Sequence, residues 1–319
     1  MKVLIIKLTS MGDLMHALPA LTEARTQLQN VSFDWVVDTA FESVPMWHPA
    51  VNKIITTDHR NWKKQLLSSE SRNALKKVRS EIEKTKYDLV IDMQNNLKSA
   101  FLSFLCNQPV TGMDAKSARE YPSHLAYSKK INVSKDLHAI TRQKIILSEA
   151  LKYPTLKEVN DYGISSDKFI KPTLDLPSDY MVLVQNASWK TKQWSIDNWK
   201  KLIDYLDKKD IKMLLPSGNN QELKRAKEIC SASTNAKALE MLPLNEIAYI
   251  MNQSRFNICS DTGLAHLSAV VETPSLTLYG PTDTKLIGTI GKDQSHIIGE
   301  KNNINNISVE EVIKKLPIG

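Results

Sequence analysis

The sequence predicts an α/β protein of two doubly wound parallel sheets, each in its own domain, with a cleft between the domains. Three observations predict this. Short β-branched and aliphatic runs alternate with longer amphipathic stretches, the pattern of βα units. The apolar runs lead directly into loops of small, hydroxyl and amide residues where helices open. A stretch of little periodicity, residues 152–177 with Pro154, Gly163, Pro172 and Pro177, separates halves of similar size. The break is set near residue 174, giving domains 1–174 and 175–319.

In the first half, strands are predicted over 2–7, 32–37, 53–56, 88–92 and 108–112. Helices fall between them, notably over 69–86, where Leu75, Val78 and Ile82 recur at helical spacing. In the second half, strands are predicted over 180–185, 212–215, 236–238, 256–259 and 275–279. Helices are predicted there over 196–208, 220–231 and 244–251, with a terminal helix over 309–316 free to cross back to the first domain. No repeat occurs at solenoid spacing.

A hydrophobic content of 42% with 24% charged residues is that of a soluble globular protein. The opening run Val3-Leu4-Ile5-Ile6 is too short for a signal-peptide core, and no later run would span a bilayer. A cytoplasmic protein is expected. Cys106, Cys230 and Cys259 are scattered and odd in number, which suits buried packing in a reducing compartment better than a disulfide or zinc site. Residues 1–174 hold 25 Lys+Arg against 18 Asp+Glu, a surplus of +7, and residues 175–319 hold 17 of each. Residues 53–86 alone hold 10 basic and 4 acidic residues. Either this is a solvated helix face, or the first half meets an anionic partner.

In doubly wound sheets, ligands sit beyond the carboxyl ends of the strands, so chemistry is expected on the strand-to-helix loops. The first such loop is Thr9-Ser10-Met11-Gly12-Asp13. It lacks the G-x-G-x-x-G of a dinucleotide fold and the G-x-x-x-x-G-K-[ST] of a Walker loop, which argues against nicotinamide and ATP. Asp13 suits a helix cap, a chemical role, or both. In Ser260-Asp261-Thr262-Gly263-Leu264-Ala265-His266, a helix N-terminus offers amides to an anion. Asp261 is awkward beside phosphate and is expected to cap the helix or bond the loop. His266 could reach the same phosphate or simply pack. In the loop 185–194, Ser188, Thr191, Lys190 and Lys192 suit a diphosphate. In 216–222, Glu222 could take ribose hydroxyls or serve the first helical turn. No D-x-D spacing occurs, so lysine and helix amides, rather than a clamped metal, would neutralise a leaving diphosphate. These loops point to a nucleotide-diphosphate donor on the second domain and an acceptor on the basic first.

The segments VLIIKLTSMGDLMHALPAL, FDWVVD, SDTGLAHLSAV and TLYGPTD, collinear over nearly the whole chain, resemble the bacterial lipopolysaccharide heptosyltransferases of glycosyltransferase family 9. TSMGD with FDWVV looks most like the heptosyltransferase I branch. The resemblance implies the GT-B arrangement of two Rossmann-like domains. It also implies inverting transfer of heptose from ADP-heptose onto the Kdo of Kdo2-lipid A in lipopolysaccharide inner-core synthesis. Position by position, it implies Asp13 as catalytic base, with Ser10 and Gly12 beside it on the acceptor side. It puts Lys192 at the departing diphosphate, Ser188 at the donor and Glu222 at the ribose. Asp261, Thr262, Gly263 and His266 match the diphosphate-sugar loop. Ala187 stands where the family commonly has a second hydroxyl residue, and Leu242 where Met can occur near the adenine.

An acceptor bearing carboxylates and phosphates makes Arg60, Lys63, Lys64, Lys98 and Arg119 candidate contacts, and the stretch around Trp62 a candidate contact with the inner leaflet of the inner membrane. The enzyme is then expected to be peripheral on the cytoplasmic face of that membrane, with no required cofactor and no nucleic-acid partner. A heptosyltransferase II-like enzyme, or another nucleotide-sugar transferase with a different acceptor, is the alternative.

Overall fold

The computed structural model describes residues 1–58, 68–156 and 160–318. The chain forms two compact units, Met1–Ser165 and Ser166–Gly319. The first holds β1 (Lys2–Ile6), β2 (Ser32–Asp38), β3 (Val51–Thr57), β4 (Leu89–Asp92), β5 (Val110–Met113) and β6 (Lys129–Ile131). All pair in parallel, in the order β3-β2-β1-β4-β5-β6. The second holds β7 (Tyr180–Val184), β8 (Lys212–Leu215), β9 (Ala236–Ala238), β10 (Phe256–Ser260), β11 (Ser275–Tyr279) and β12 (Gln294–Ile298). Its parallel order is β9-β8-β7-β10-β11-β12. Counted from each unit's first strand, the two orders are the same. Strand order reverses at β1/β4 in one unit and at β7/β10 in the other, and ligands bind at such switch points.

The central strands are buried on both faces, as parallel strands covered by helices must be. Val3, Leu4, Ile5 and Ile6 of β1 are wholly buried, and Ile5 lies between Trp35 and Ile91 in register. Two strands escaped the sequence reading, and both are sheet edges. β6 reads Lys-Lys-Ile with two exposed residues, and β12 reads Gln-Ser-His-Ile-Ile with none buried. The other two edges, β3 and β9, lie over stretches where strands were expected. The expected helices form as Ser69–Glu83, Ile196–Asp207, Asn220–Cys230 and Leu244–Gln253.

Val78 and Ile82 of the helix Ser69–Glu83 pack onto Leu4, Ile6, Val36 and Val90 in one core. In the other, Trp194 and Trp199 meet edge to face at 5.2 Å among Leu183, Leu202 and Ile258. The terminal helix, Val309–Ile313, does not leave for the first domain; Val309, Val312 and Leu316 are buried in this second core. The division between units falls before the break expected near residue 174. Tyr162 and Phe169 are both buried, the Ser165 N–H bonds Trp47, and the Ile170 N–H bonds Asn245, so each flank is committed to its own unit.

Candidate active site

In the first unit, β1 delivers the chain to a short helix, Met11–Met15, with Ser10 at its N-cap. Asp13 Oδ2 accepts from the Ser10 N–H (3.1 Å), the Ser10 hydroxyl (3.0 Å) and the Arg119 guanidinium (3.0 Å). The carboxylate therefore caps its own helix and pairs with a base at once, while its side chain keeps 26% of its surface exposed. Burial alone would raise its pKa. The Lys7 ammonium, Arg119, the Ser10 N–H and His16 outweigh that and hold it well below the usual carboxylate range. Asp13 is ionised at neutral pH.

Two of these partners come from unexpected places. Lys7, at the end of β1, is buried and donates to the Met93 carbonyl at 3.0 Å. Burial lowers its pKa to about 8, against the pull of Asp13. Arg119 is positioned by the loop after β4. There Asp92 accepts the Gln94 and Asn95 N–H groups, both at 2.8 Å, and the Tyr127 hydroxyl at 2.7 Å. Gln94 Oε1 accepts from the Leu8 and Thr9 N–H groups, tying this loop to the one bearing Asp13. The Asn95 carbonyl accepts the Arg119 N–H at 3.0 Å. The run Gln94-Asn95-Asn96 after an apolar strand was the available signal for this bracket.

Of the expected acceptor contacts, Ser10 and Arg119 meet at Asp13, and Gly12 is buried within the short helix. Lys98 is exposed on the first turn of the helix Leu97–Ser103. Arg60, Lys63, Lys64 and Trp62 lie outside the described residues. In the rest of that basic stretch, Lys53 and Lys84 pair with Glu81, and Arg79 with Glu83, as on a solvated helix face.

In the second unit, the loops after β7 and β10 meet. Lys192 Nζ lies 3.0 Å from Asp261 Oδ2, which also takes the Thr282 hydroxyl. Asp261 thus bonds the loops and does not cap the helix Gly263–Val270, whose N-cap Thr262 makes no side-chain cap either. The opening turn of that helix, with Gly263, is left to an anion. His266 lies in its first turn and is buried. Gly280 permits the approach of the Lys192 turn: a Cβ there would stand 3.1 Å from the Thr191 carbonyl and 3.0 Å from the Ile304 nitrogen. Ala187 is buried, its carbonyl accepting from Gln193 at 2.7 Å, and Ser188 is exposed. Arg225 braces the loop from below, donating to Gln185 (3.0 Å) and the Trp194 carbonyl (2.6 Å). Thr282 and Arg225 were not singled out in the sequence, although Thr282 sits within TLYGPTD.

Glu222 uses both carboxylate oxygens at its own helix start, accepting the Gly218 N–H at 2.8 Å and the Asn219 amide at 2.9 Å. Each oxygen retains a lone pair for a further hydroxyl. Leu242 is half-buried just before the helix Leu244–Gln253. Cys230 and Cys259 are buried and Cys106 half-buried; burial pushes all three thiols up to about 12. Among the described residues, no group of three or more His, Cys, Asp or Glu is gathered as a metal site, and no helix is long and apolar enough to cross a membrane.

A sequence profile for glycosyltransferase family 9 (heptosyltransferase) matches residues 75–316. The chain is 35% identical to lipopolysaccharide heptosyltransferase 1 of Escherichia coli K12, over 99% of each chain. It is 35% identical to the Pseudomonas aeruginosa protein of the same name, over 93% of this chain and 83% of that one. The fold matches Escherichia coli heptosyltransferase WaaC with ADP at a TM-score of 0.92 and 34% identity, over 98% of both chains. It matches WaaC with ADP-2-deoxy-2-fluoro heptose at 0.89 and 33% identity, again over 98% of both. Escherichia coli heptosyltransferase II shares the fold at a TM-score of 0.77 with 15% identity.

Proposed function

The chain belongs to glycosyltransferase family 9, and on that premise we propose that it transfers heptose from ADP-heptose onto the Kdo of Kdo2-lipid A in lipopolysaccharide inner-core synthesis. It is a glycosyltransferase. The observation that carries the proposed chemistry is the state of Asp13: an ionised, partly exposed carboxylate at the switch point of the first sheet. Asp13 accepts the proton of the acceptor hydroxyl as that oxygen attacks the anomeric carbon. The bond from that carbon to the ADP oxygen breaks on the opposite face, so configuration inverts. Lys192 and the Thr262–Gly263 amides take up the charge left on the diphosphate. Ser188 bonds the donor and Glu222 the ribose, with Ala187 and Leu242 packing beside them. Ser10, Gly12, Lys98 and Arg119 receive the anionic acceptor. No metal ion is assigned a step. The identity of about a third to heptosyltransferase 1 sequences, against 15% to heptosyltransferase II, favours this acceptor.

The test is ADP release from ADP-heptose with and without deacylated Kdo2-lipid A, in wild type and Asp13→Ala, with and without a chelator. Acceptor-dependent release that falls about 10²–10⁴-fold in the variant supports the assignment of the base. Near-normal turnover in Asp13→Ala leaves that residue a helix cap only. Donor binding without acceptor-dependent release rejects the acceptor, and turnover abolished by the chelator rejects the metal-free mechanism.

A further inference from the structure

We propose that the outward face of the helix Leu97–Ser103, with the loop packed on it, seats the first unit on an anionic lipid bilayer beside Asp13. This rests on the acceptor being lipid-anchored and names the surface from which it would be met. The helix is turned inside out. Leu97, Phe101 and Phe104, spaced i, i+4, i+7 and so on one face, are 50%, 49% and 72% exposed. The inward face holds mostly small residues, Ser99, Ala100 and Ser103, with Leu102. A helix that served only the core would point its large apolar residues the other way.

The adjoining loop repeats the pattern. Tyr121 is 77% exposed and Leu125 68%. The loop is fixed to the helix and its N-terminal bracket: Glu120 accepts the Leu97 N–H at 3.0 Å, and the Asn95 carbonyl accepts the Arg119 N–H and the Ser123 hydroxyl. Five of the twelve exposed large hydrophobic residues among the described ones thus fall within 29 positions, 97–125.

Charge selects the occupant. Residues 97–130 hold five Lys and Arg (Lys98, Lys116, Arg119, Lys129, Lys130) against Asp114 and Glu120. Both acids are engaged, Asp114 by Ser117 and Asn132, and Glu120 by Leu97. Exposed aromatic and aliphatic side chains in a segment with a surplus of lysine and arginine complement a plane of anionic headgroups over an apolar interior. A stable protein partner needs about 800 Å² a side, for which two helical turns and one loop supply few anchors. Arg119, which pairs with Asp13, is two residues from Tyr121, so the surface adjoins in sequence a residue that meets the proposed base.

The test is flotation of the full-length chain with vesicles of phosphatidylethanolamine containing phosphatidylglycerol, beside phosphatidylcholine vesicles. The expected result is binding to the anionic vesicles that weakens with salt, and a loss of at least about tenfold in F101S/F104S. The same variant keeps wild-type turnover on soluble deacylated acceptor but loses turnover on acceptor embedded in vesicles. Leu125→Ser, in an exposed loop, gives the same split to a lesser degree and stands in if the double variant fails to fold. Unchanged vesicle binding in both variants overturns the proposal. So does a wild-type dimer that these substitutions dissociate, which would assign the face to self-association. If wild type binds vesicles but turns over no soluble acceptor, the functional assignment fails while the lipid surface stands.

Discussion

The Asp13 carboxylate and the Arg119 guanidinium lie 3.0 Å apart across 106 residues of chain, the arginine side chain 58% exposed and the carboxylate 26%. A pair this open adds little to stability. Its effect falls on proton affinity, because Arg119 joins Lys7 in holding Asp13 ionised against the opposing effect of burial. An anionic acceptor that drew Arg119 to itself would leave Asp13 a stronger base at the moment it is needed. Arg119→Gln is therefore expected to raise the Asp13 pKa part of the way towards the ordinary carboxylate value, with Lys7 still lowering it, and so to move the acid limb of kcat/KM to higher pH than in wild type. Acceptor KM should rise about tenfold, with the melting temperature nearly unchanged. A pH–rate profile and acceptor KM like those of wild type would reject the coupling.

In the second unit, Lys192 is held in the same manner by Asp261, 3.0 Å away. A diphosphate at the proposed donor site would compete with Asp261 for the ammonium, and would meet repulsion from that carboxylate as the lysine leaves it. Lys192→Met should weaken ADP binding about 10–100-fold, the range of a lost charge-assisted bond. Asp261→Asn releases the lysine while its amide oxygen still accepts from Thr282. That variant should bind ADP as tightly as wild type or a few-fold tighter. Calorimetric titration with ADP separates the two. Wild-type affinity in Lys192→Met would remove the lysine from the diphosphate site.

The elements easiest to read in the sequence were those under strong local rules. β1 and β7 are unbroken apolar runs, and Ile196–Asp207 and Asn220–Cys230 carry clean helical periodicity. β6 and β12 were hidden because polar residues fill most of each, Lys129 and Lys130 in one and Gln294, Ser295 and His296 in the other. Asp13 and Lys192 were legible from their loops. Their ion-pair partners were less so: Arg119 was marked for the acceptor and Asp261 was expected to cap the helix or bond the loop, but neither was paired in advance with Asp13 or Lys192. Lys7 was hidden in a strand, and the Gln94 bracket that ties the Asp13 loop to the loop after β4 joins residues 85 and 86 positions apart. Local spacing cannot show such a contact. Only the sheet order does.

His48 stands outside both sites and dictates how the first unit responds to acid. It is buried, its Nδ1 accepting the Ala50 N–H at 3.1 Å and its Nε2 lying 3.0 Å from the Thr22 hydroxyl. Burial, together with Arg25 and against Asp161, lowers its pKa to about 4 from the usual 6.5. Between those values the unfolded chain binds a proton that the folded one refuses, so stability falls as pH drops from 6.5 towards 4. The loss from this group is about 2 kcal/mol by pH 5. His48→Gln cannot take up the proton and should flatten that part of the curve. Urea melts of both proteins at pH 7 and pH 5 test this; an equal drop in the two would exclude His48 as the source.

The helix Leu18–Gln27, which follows the Asp13 turn, is fixed to the helix Ala139–Leu151 by a buried ion pair. Lys144 Nζ lies 2.9 Å from Glu23 Oε2, the side chains 2% and 3% exposed, and the ammonium also bonds the Leu156 carbonyl. Desolvating two charges offsets most of their attraction, so the pair adds little net stability while each charge depends on the other. Glu23→Leu or Lys144→Met alone leaves one buried charge without its counterion and should cost about 3–5 kcal/mol. The double variant E23L/K144M removes both charges and should recover most of that loss. Its Asp13 turn should also survive, since Ser10 and Arg119 still hold it, so turnover in the double variant should stay within a few-fold of wild type. Denaturant melts of the two single variants and the double variant, read as a cycle, give the coupling directly. Additive losses in the double variant would show that the two charges stabilise the helices independently of one another.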